Sequence, residues 1–435
     1  EEAIRVSGQA LDAIEAIRDN QTGGTVRART FSPWVFFYKR FIANLLWPPE
    51  AVPAPEDSDR AFRIAERMRA RVFLDELDAA RAGKDPEELP WSSLPGIADV
   101  QNRLQEDEAV LSFLVEEQEW KSFFMGGSWL TVITRTGTGI YRLPVASELS
   151  GLADLTLGAI RNRDGSETAG LQRLRQDLLE SALADLPETI DHLIIVPDGP
   201  LHRLPFGALV GDRYRVSQSP SVAAWLHWTG EDAGPAGRPV SAWIDPEMDR
   251  EGLGRLPYAA LEAQAAREHL GSGVQVRAGA GATEGRFKAT ALPEYAVIHL
   301  AAHGLVDDLH PDLSGIALAP GDGEDGLLQV REIADLDLTG RVVVLSACRS
   351  ASGATLEGEG VLSLARAFFV AGAHGVVANL WPVRDDEAAA FSEELYRHLG
   401  EGQDLAGALA AARRDRVAAG DPAEAWAGTV LIGNG

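Results

Sequence analysis

The sequence is nearly free of cysteine. Its 435 residues include one cysteine, Cys348, and only three methionines. A single cysteine cannot form an internal disulfide or a multi-cysteine zinc site, so a disulfide-stapled extracellular fold and a zinc ribbon are both excluded. Such cysteine usage suits a reducing compartment, and we expect a cytoplasmic location.

Basic residues and long apolar runs are also scarce. The chain has 40 lysines and arginines against 65 acidic residues, which gives a net charge of −25. This charge repels nucleic-acid phosphates and anionic lipid surfaces, so we expect no direct nucleic-acid partner and no membrane partner. No apolar run reaches the roughly 20 residues that a membrane helix needs.

Residues 1–92 carry the pattern of a helical region. Apolar residues recur there at three- and four-residue intervals, and Asp57 or Ser58 would cap the helix that includes SDRAFRIAERMRARVFLDEL. The aromatic residues of FSPWVFFYKRFIANLLWPP either pack between helices or contact a lipid or partner. Because the helical pattern is already present at residues 3–19, we expect an excised part of a longer protein.

From residue 93 onward, short apolar runs alternate with helical segments. This alternation predicts an α/β fold with a mostly parallel sheet that is covered on both faces. We predict a hairpin turned at Gly137, Thr138 and Gly139, a helix over 168–186, and a short helix over 329–336. We expect residues 93–238 to form an N-terminal half with the hairpin, and residues 239–435 to form a second half that holds the chemically reactive residues described next.

Two of the apolar runs end in chemically reactive side chains. YAVIHLAAHG leads to His303, and RVVVLSAC leads to Cys348, 45 residues later. Ligands and catalytic groups gather beyond the carboxyl ends of parallel strands, and neighbouring strands lie about 4.8 Å apart. An imidazole beside a thiol takes its proton and later returns it to the leaving amine. If the two strands are neighbours, the pair is a candidate catalytic dyad.

Glycine at position 304 has a role in the same hypothesis. Without a Cβ atom, Gly304 lets a substrate approach its backbone, and its N–H with that of Cys348 would form an oxyanion hole. A lone buried cysteine is more often a small apolar side chain, so the hypothesis depends on the pair of residues.

These stretches resemble those of the CHAT peptidases, relatives of caspases, metacaspases and separase in the caspase-like clan of cysteine peptidases. The resemblance extends from about residue 65 to near the C-terminus, and it rests on VIHLAAHG, VVVLSAC, HLIIVPDGPLHRLPFGAL and GEGVLSLARAFFVAGAHGVVANLWPVRDDEAAAF. Ser346 and Ser350 replace the Gln and Gly of the caspase signature, which favours the CHAT branch over aspartate-specific caspases.

The resemblance implies a caspase-like three-layer sandwich, preceded by helices that end a tetratricopeptide-repeat sensor. It implies that His303 is the general base and Cys348 the nucleophile of an endopeptidase that forms a thioester with its substrate. The implied substrate is a specific protein, and the implied activator is a partner protein or the upstream sensor, in bacterial defence or regulated cell death. No cofactor or metal is expected, and the sequence does not fix the oligomeric state.

Three acidic residues are candidates for substrate binding. Asp385 and Asp386 resemble in position the acidic stretch near the substrate pocket of separases, where an acid favours a basic side chain. Asp385 alternatively caps the following helix. Glu359 lies in the stretch RSASGATLEGEG after Cys348, which is either a plain surface loop or an activation loop that a partner orders.

Other functions compete with the peptidase. His299 and His303 have the H-x-x-x-H spacing of zinc peptidases, but a leucine follows the first histidine and the surroundings predict a strand. We therefore expect a buried, hydrogen-bonded His299. A catalytically inactive caspase-like scaffold or regulated binding module is the main alternative, and a hydrolase of small amides is a further one.

Overall fold

The computed structural model describes residues 2–19, 31–46, 53–69, 71–81, 94–116, 127–163, 165–228, 239–248, 253–307, 309–347, 350, 354–356, 360–362 and 364–434. Within these residues, a helical region precedes a mixed α/β unit that is built on one large sheet. This arrangement confirms the predicted fold class. No helix among the described residues is both long enough and apolar enough to cross a membrane.

The N-terminal region is helical, as predicted. Its described helices are α1 (Glu2–Asp19), α2 (Val35–Leu45), α3 (Pro55–Met68) and α4 (Arg71–Arg81). The predicted cap of α3 is wrong, because Ala54 is the N-cap residue and Pro55 occupies the first turn, where its fixed φ fits and no amide is lost. Tyr38, Phe41 and Phe31 are buried among these helices, whereas Phe36 and Phe37 are nearly half exposed.

The remaining helices cover the sheet or connect its strands. In chain order they are α5 (Ile97–Arg103), α6 (Ala146–Asn162), α7 (Glu167–Leu178), α8 (Glu180–Asp185), α9 (Phe206–Leu209), α10 (Val222–Trp228), α11 (Ala259–Leu270), α12 (Glu284–Ala289), α13 (Val330–Ala334), α14 (Leu364–Val370), α15 (Asp385–Gly400), α16 (Leu405–Ala418) and α17 (Ala423–Trp426). The helices predicted over 168–186 and 329–336 are confirmed.

The described strands belong to three sheets. They are β1 (Glu108–Leu114), β2 (Ser128–Thr134), β3 (Gly137–Leu143), β4 (His192–Val196), β5 (Arg215–Gln218), β6 (Val240–Pro246), β7 (Val274–Gly279), β8 (Val297–Ala301), β9 (His303–Leu305), β10 (Gly315–Ala317), β11 (Leu327–Gln329), β12 (Val342–Ser346), β13 (Ala354–Leu356), β14 (Gly360–Leu362), β15 (Gly375–Asn379) and β16 (Thr429–Gly433). The large sheet has the order β3-β2-β1-β4-β5-β16-β15-β12-β8-β6-β7, and two small sheets are β11-β10-β9 and β13-β14.

Nine of the eleven strands of the large sheet form two parallel blocks that run in opposite directions, and the hairpin of β2 and β3 adds two antiparallel strands beside β1. The strands β1, β4, β5 and β16 are parallel to one another, as are β15, β12, β8, β6 and β7. The antiparallel pairing of β15 with β16 joins the blocks. The carboxyl ends of β1 and β4 therefore lie at the edge of the sheet opposite to the carboxyl ends of β8 and β12.

The hairpin of β2 and β3 turns two residues earlier than predicted. The strands pair from Thr134 with Gly137, so the turn residues are Arg135 and Thr136. The Thr134 hydroxyl oxygen accepts a hydrogen bond from the Gly137 N–H (3.1 Å), which closes this short turn and places Gly137 in the strand.

Both faces of the block that contains β12 are buried. Alternate residues of β12 point to opposite faces: Val343 and Leu345 pack in one core cluster with α14, and Val342 and Val344 pack in another with α15 and α16. This alternation explains why the strand is a continuous apolar run, and it creates the three layers of the fold.

Helix α4 of the N-terminal region directly contacts α14, in the part of the chain after residue 239. Glu76 accepts hydrogen bonds from the Arg366 guanidinium of α14, with a shortest N–O distance of 3.0 Å. The Arg366 guanidinium also lies 5.1 Å from the centroid of the Phe73 ring, which packs against Phe369 and Trp228. The helix that follows the segment after Cys348 is thus held against the helical region.

Candidate active site

The candidate site is at the carboxyl ends of three neighbouring strands. In the parallel ladders, Ala301 at the end of β8 pairs with Ser346 at the end of β12 and with Ile244 near the end of β6. The predicted adjacency of the strands that lead to His303 and Cys348 is therefore confirmed. Such strand ends are where open parallel sheets bind ligands.

Cys348 itself lies outside the described residues, as does Glu359. The chain is described up to Ala347, and Cys348 follows Ser346, the last residue of β12, by two positions. His303 likewise follows Ala301, the last residue of β8, by two positions. Ala301 and Ser346 are register partners, so His303 and Cys348 follow adjacent strands at equal offsets. The pairing of their two side chains stays a prediction.

His303 has a defined hydrogen-bond partner. It begins β9, its side chain is partly exposed, and its Nε2 lies 2.6 Å from the backbone carbonyl oxygen of Gly254. A carbonyl oxygen can only accept, so Nε2 carries the proton in this contact. In the neutral imidazole, Nδ1 is then unprotonated, which is the state that a general base requires.

Asp245, at the end of β6, is an acidic neighbour of His303. Its backbone has a φ of 41°, a left-handed conformation that aspartate tolerates better than most residues. Burial raises the pKa of the Asp245 carboxyl, but hydrogen bonds from Arg255 and from the Leu256 N–H outweigh burial and hold it below its ordinary value, and the charge of His303 adds to this lowering. Asp245 is therefore an anion beside the imidazole.

The short segment 254–258 connects the parts of the site. Gly254 accepts from His303, Arg255 and Leu256 donate to Asp245, and the Tyr258 N–H donates to Asp385 Oδ2 (2.7 Å). One backbone segment thus contacts the ends of β6 and β8 and the start of α15.

Asp385 is not the cap of α15, and its carboxyl group interacts electrostatically with His303. Arg384 occupies the N-cap position, and Asp385 is the first helical residue. Burial raises the pKa of Asp385, against the hydrogen bond from Tyr258, and the charges of Asp245 and Asp386 raise it further while His303 lowers it. These mutual effects place Asp385 within electrostatic reach of His303 and Asp245.

Asp386 is engaged differently from Asp385. Both of its carboxylate oxygens accept hydrogen bonds from the Arg384 guanidinium, at 3.0 and 2.8 Å. The pKa of Asp386 is lowered, mainly by these hydrogen bonds. Asp386 is thus paired with Arg384, whereas Asp385 interacts electrostatically with His303.

Gly304 is the middle residue of β9. It pairs with Ile316 of β10, next to the pairing of His303 with Ala317. The small sheet of β9, β10 and β11 therefore fixes the backbone of the histidine. The role of Gly304 in an oxyanion hole stays a prediction, because the second donor would be Cys348.

His299 is a core residue, as predicted. It is fully buried on β8, and its Nδ1 lies 2.8 Å from the Tyr396 hydroxyl. Burial lowers its pKa to about 4, so the imidazole is neutral at physiological pH. The two histidines of the H-x-x-x-H spacing therefore lie in different surroundings, His299 in the core and His303 in a partly exposed position.

Sequence reasoning missed three residues of this region. Asp245 ends the apolar run PVSAWID on the strand beside β8, which was a detectable signal. Glu262 lies on the same face of α11 as the buried residues Ala259, Ala263 and Ala266, where an acid is unexpected. Gly254 acts through its carbonyl group, and no side-chain pattern reveals such a contact.

Groups of side chains that resemble metal sites lie elsewhere among the described residues. Three groups of histidines and carboxylates are compact enough to share an ion, and none of them includes His303 or Asp245. In the group of Glu284, Glu324 and Glu332, the Lys288 ammonium pairs with all three carboxylates. A side-chain cation thus already pairs with each carboxylate of that group and offsets part of its charge.

The fold is similar to that of separase. The crystal structure of the Saccharomyces cerevisiae separase–securin complex superimposes with a TM-score of 0.59 at 11% identity, over 95% of this chain and 37% of the separase chain. A second structure of that complex gives 0.58 at 12% identity, over 94% and 37%. The chain therefore has the fold of the caspase-like cysteine peptidases.

The family follows from the sequence. The family model of the CHAT domain matches residues 168–434, more than half of the chain, and the chain belongs to this family. It is also 29% identical over 228 residues to Tetratricopeptide repeat protein 28 of Homo sapiens and 34% identical over 111 residues to that of Mus musculus. These matches cover 43% and 25% of this chain, and only 9% and 4% of the relatives' lengths.

Proposed function

We propose that this chain is a cysteine endopeptidase that cleaves a specific protein substrate with a dyad of Cys348 and His303. The observation that carries the proposal is the register of β8 and β12, in which the residues two positions before His303 and Cys348 are direct partners. Membership of the CHAT family and the caspase-like fold support the same activity.

The contacts of His303 support a definite division of roles. Because Nε2 donates to the Gly254 carbonyl group, Nδ1 accepts the thiol proton, and Cys348 Sγ attacks the scissile carbonyl carbon. The imidazolium returns the proton to the leaving amine, which leaves a thioester that water then hydrolyses. The anions Asp245 and Asp385 stabilise the imidazolium between these steps. The amides of Gly304 and Cys348 hold the oxyanion.

We assign the preference for a basic substrate side chain to Asp385, with Glu359 as a second acid. Asp385 lies within electrostatic reach of His303, whereas Asp386 is occupied by Arg384. A cationic side chain before the scissile bond would pair with Asp385 next to the dyad.

The contact between α4 and α14 supports activation through the helical region or a bound partner. Helix α14 follows the segment that contains Glu359, and Arg366 and Phe369 of α14 contact Glu76 and Phe73 of α4. A movement of α4 would therefore displace the end of that segment. We place the activity in the cytoplasm, in bacterial defence or regulated cell death.

Labelling with cysteine-directed peptide probes tests this function. We expect a probe with arginine before the reactive group to label the chain, Cys348→Ala to abolish labelling, and His303→Ala to slow it roughly 100-fold or more. Asp385→Asn should reduce the preference for arginine over alanine probes, and the adjacent Asp386→Asn is its matched control. Absence of labelling, both alone and with co-purified partner proteins, would contradict the peptidase and favour an inactive scaffold.

A further inference from the structure

Glu262 is a buried acid beneath the candidate active site. It lies on α11, which packs along α15, and its side chain is only 1% exposed. A carboxyl group in this position loses its hydration, so it requires hydrogen-bond partners in the core.

The partners of Glu262 come from two of the elements that carry the site. The Ser346 hydroxyl of β12 donates to Oε1 (3.0 Å), and the Ser392 hydroxyl of α15 donates to Oε2 (2.6 Å). A third element, β8, contributes His299, whose Nε2 lies 3.5 Å from Oε2 and has no hydrogen-bond partner among the described residues. The opposite nitrogen of His299 is held by Tyr396 of α15.

Each of these elements leads to a residue of the proposed mechanism. Strand β8 is followed by His303, β12 is followed by Cys348, and α15 begins with Asp385. Ser346, which Glu262 holds, is two positions before Cys348. On the other side of Cys348, the buried Ser350 donates to the Ala347 carbonyl oxygen (3.1 Å) and accepts from the Asn379 N–H (3.0 Å). Hydrogen bonds thus hold Ser346 before Cys348 and Ser350 after it, and Glu262 is the ionisable group in these contacts.

The charge of Glu262 responds to pH near neutrality. Burial raises its pKa to about 7 against the two serine hydrogen bonds, and the charge of Asp385 raises it further. The titratable groups that face it are His299 from β8, whose pKa burial lowers to about 4, and Tyr396 and Asp385 from α15. The ionised carboxylate accepts from both serines, whereas the protonated acid must use one oxygen as a donor.

We infer that Glu262 is a positioning residue of the proposed dyad: its buried carboxyl group fixes the end of β12 against α11 and α15, and so determines how closely Cys348 approaches His303. The inference rests on the proposed function. It also predicts that the site responds to pH, because the hydrogen bond between Ser346 and Glu262 changes when Glu262 gains or loses a proton.

The single cysteine of the chain makes a direct test possible. Alkylation by iodoacetamide reports on Cys348 alone in this chain, without a substrate. We compare wild type with Glu262→Gln, Ser346→Ala and His303→Ala between pH 6 and 9, at temperatures where circular dichroism shows each variant to be folded. Glu284→Gln and Ser241→Ala are controls. Glu284 is as buried as Glu262, Ser241 is more buried than the partly buried Ser346, and both residues are hydrogen-bonded elsewhere.

We expect Glu262→Gln to slow alkylation at pH 7 by roughly threefold or more, towards the rate of His303→Ala, because a thiol without its imidazole partner is less ionised. Ser346→Ala should give a smaller decrease, and both controls should keep the wild-type profile. The wild-type profile should have an inflection near pH 7 that Glu262→Gln lacks. A purely structural role would not remove this inflection.

The outcomes separate the two claims. A wild-type profile in Glu262→Gln and Ser346→Ala, together with slow alkylation in His303→Ala, would overturn the role of Glu262 and leave the dyad intact. Equal rates in wild type and His303→Ala would overturn the dyad, and with it the role of Glu262. If Glu262→Gln does not fold, Ser346→Ala decides, because it removes only one hydroxyl group.

Discussion

At each of the two edges of the large sheet, a polar residue follows the end of a strand by two positions, but the surroundings of the two residues differ. At one edge, Asp198 follows the end of β4 by two positions, as His303 follows β8 at the other. Asp198 is buried, accepts from the Val115 N–H (2.8 Å) and pairs with the Lys39 ammonium of α2 (3.3 Å). At the opposite edge, His303 is partly exposed.

This difference shows what covering a strand end does to its charged groups. Lys39 also donates to the Val115 carbonyl oxygen (2.6 Å), so the N-terminal helices close the edge at β1 and β4 with a buried ion pair. A buried pair holds two elements together but cannot meet a substrate. At the exposed edge, His303 stays accessible to solvent and two acids, Asp245 and Asp385, interact with it electrostatically, so these groups can meet a substrate.

Breaking the buried pair should have the largest effect on stability. Lys39→Met leaves Asp198 without its closest cation, and we expect a loss of roughly 3–5 kcal/mol in the free energy of unfolding, measured by urea denaturation. The alkylation rate of Cys348 in the folded variant should not change. A stability close to wild type would show that the buried pair does not hold this edge closed. Altered cysteine reactivity would show that the two edges are not separate in function.

The pH dependence of stability tests the acid beneath the exposed edge. Unfolded Glu262 releases its proton near the ordinary value of 4.5, whereas folded Glu262 releases it near 7, so the folded state binds more protons between these values. The free energy of unfolding must therefore fall as pH rises through this range, by roughly 3 kcal/mol from this residue. We expect the difference between wild type and Glu262→Gln to change by this amount between pH 4.5 and 8. A constant difference would contradict a buried, neutral Glu262.

The exposed ion pair of the candidate site should contribute least to stability. Arg255 is well exposed, so Arg255→Met should leave the urea midpoint unchanged, in contrast to Lys39→Met. It removes the hydrogen bonds that lower the pKa of Asp245, and a carboxyl titration by NMR should show a higher pKa for Asp245. A large loss of stability would make this edge structural, like the covered one.

Much of the site could be predicted from the sequence because it depends on local pattern. The apolar runs before His303 and Cys348 predicted buried parallel strands, and the two strands are register partners. His299 was expected in the core because of its place in such a run. The resemblance to CHAT peptidases then implied roles for His303 and Cys348, which the strand pattern already indicated as reactive.

Other features depend on long-range pairing and could not be predicted. Strand β16 inserts between β5 and β15 from the end of the chain and reverses the direction of the sheet. The apolar pattern of β16 does not specify these neighbours. The sequence offers Asp385 either as a substrate-binding acid or as the cap of α15, but its carboxylate accepts from Tyr258, more than 100 residues earlier in the chain. Local propensity cannot show such a partner.

The pH dependence of Cys348 alkylation in wild type and His303→Ala tests the central claim most directly. With His303 beside the thiol, we expect wild type to react with a midpoint below the ordinary thiol pKa of about 8.5, and His303→Ala to return to about that value. Identical profiles in the two proteins would show that Cys348 and His303 do not form a dyad, and would contradict the account.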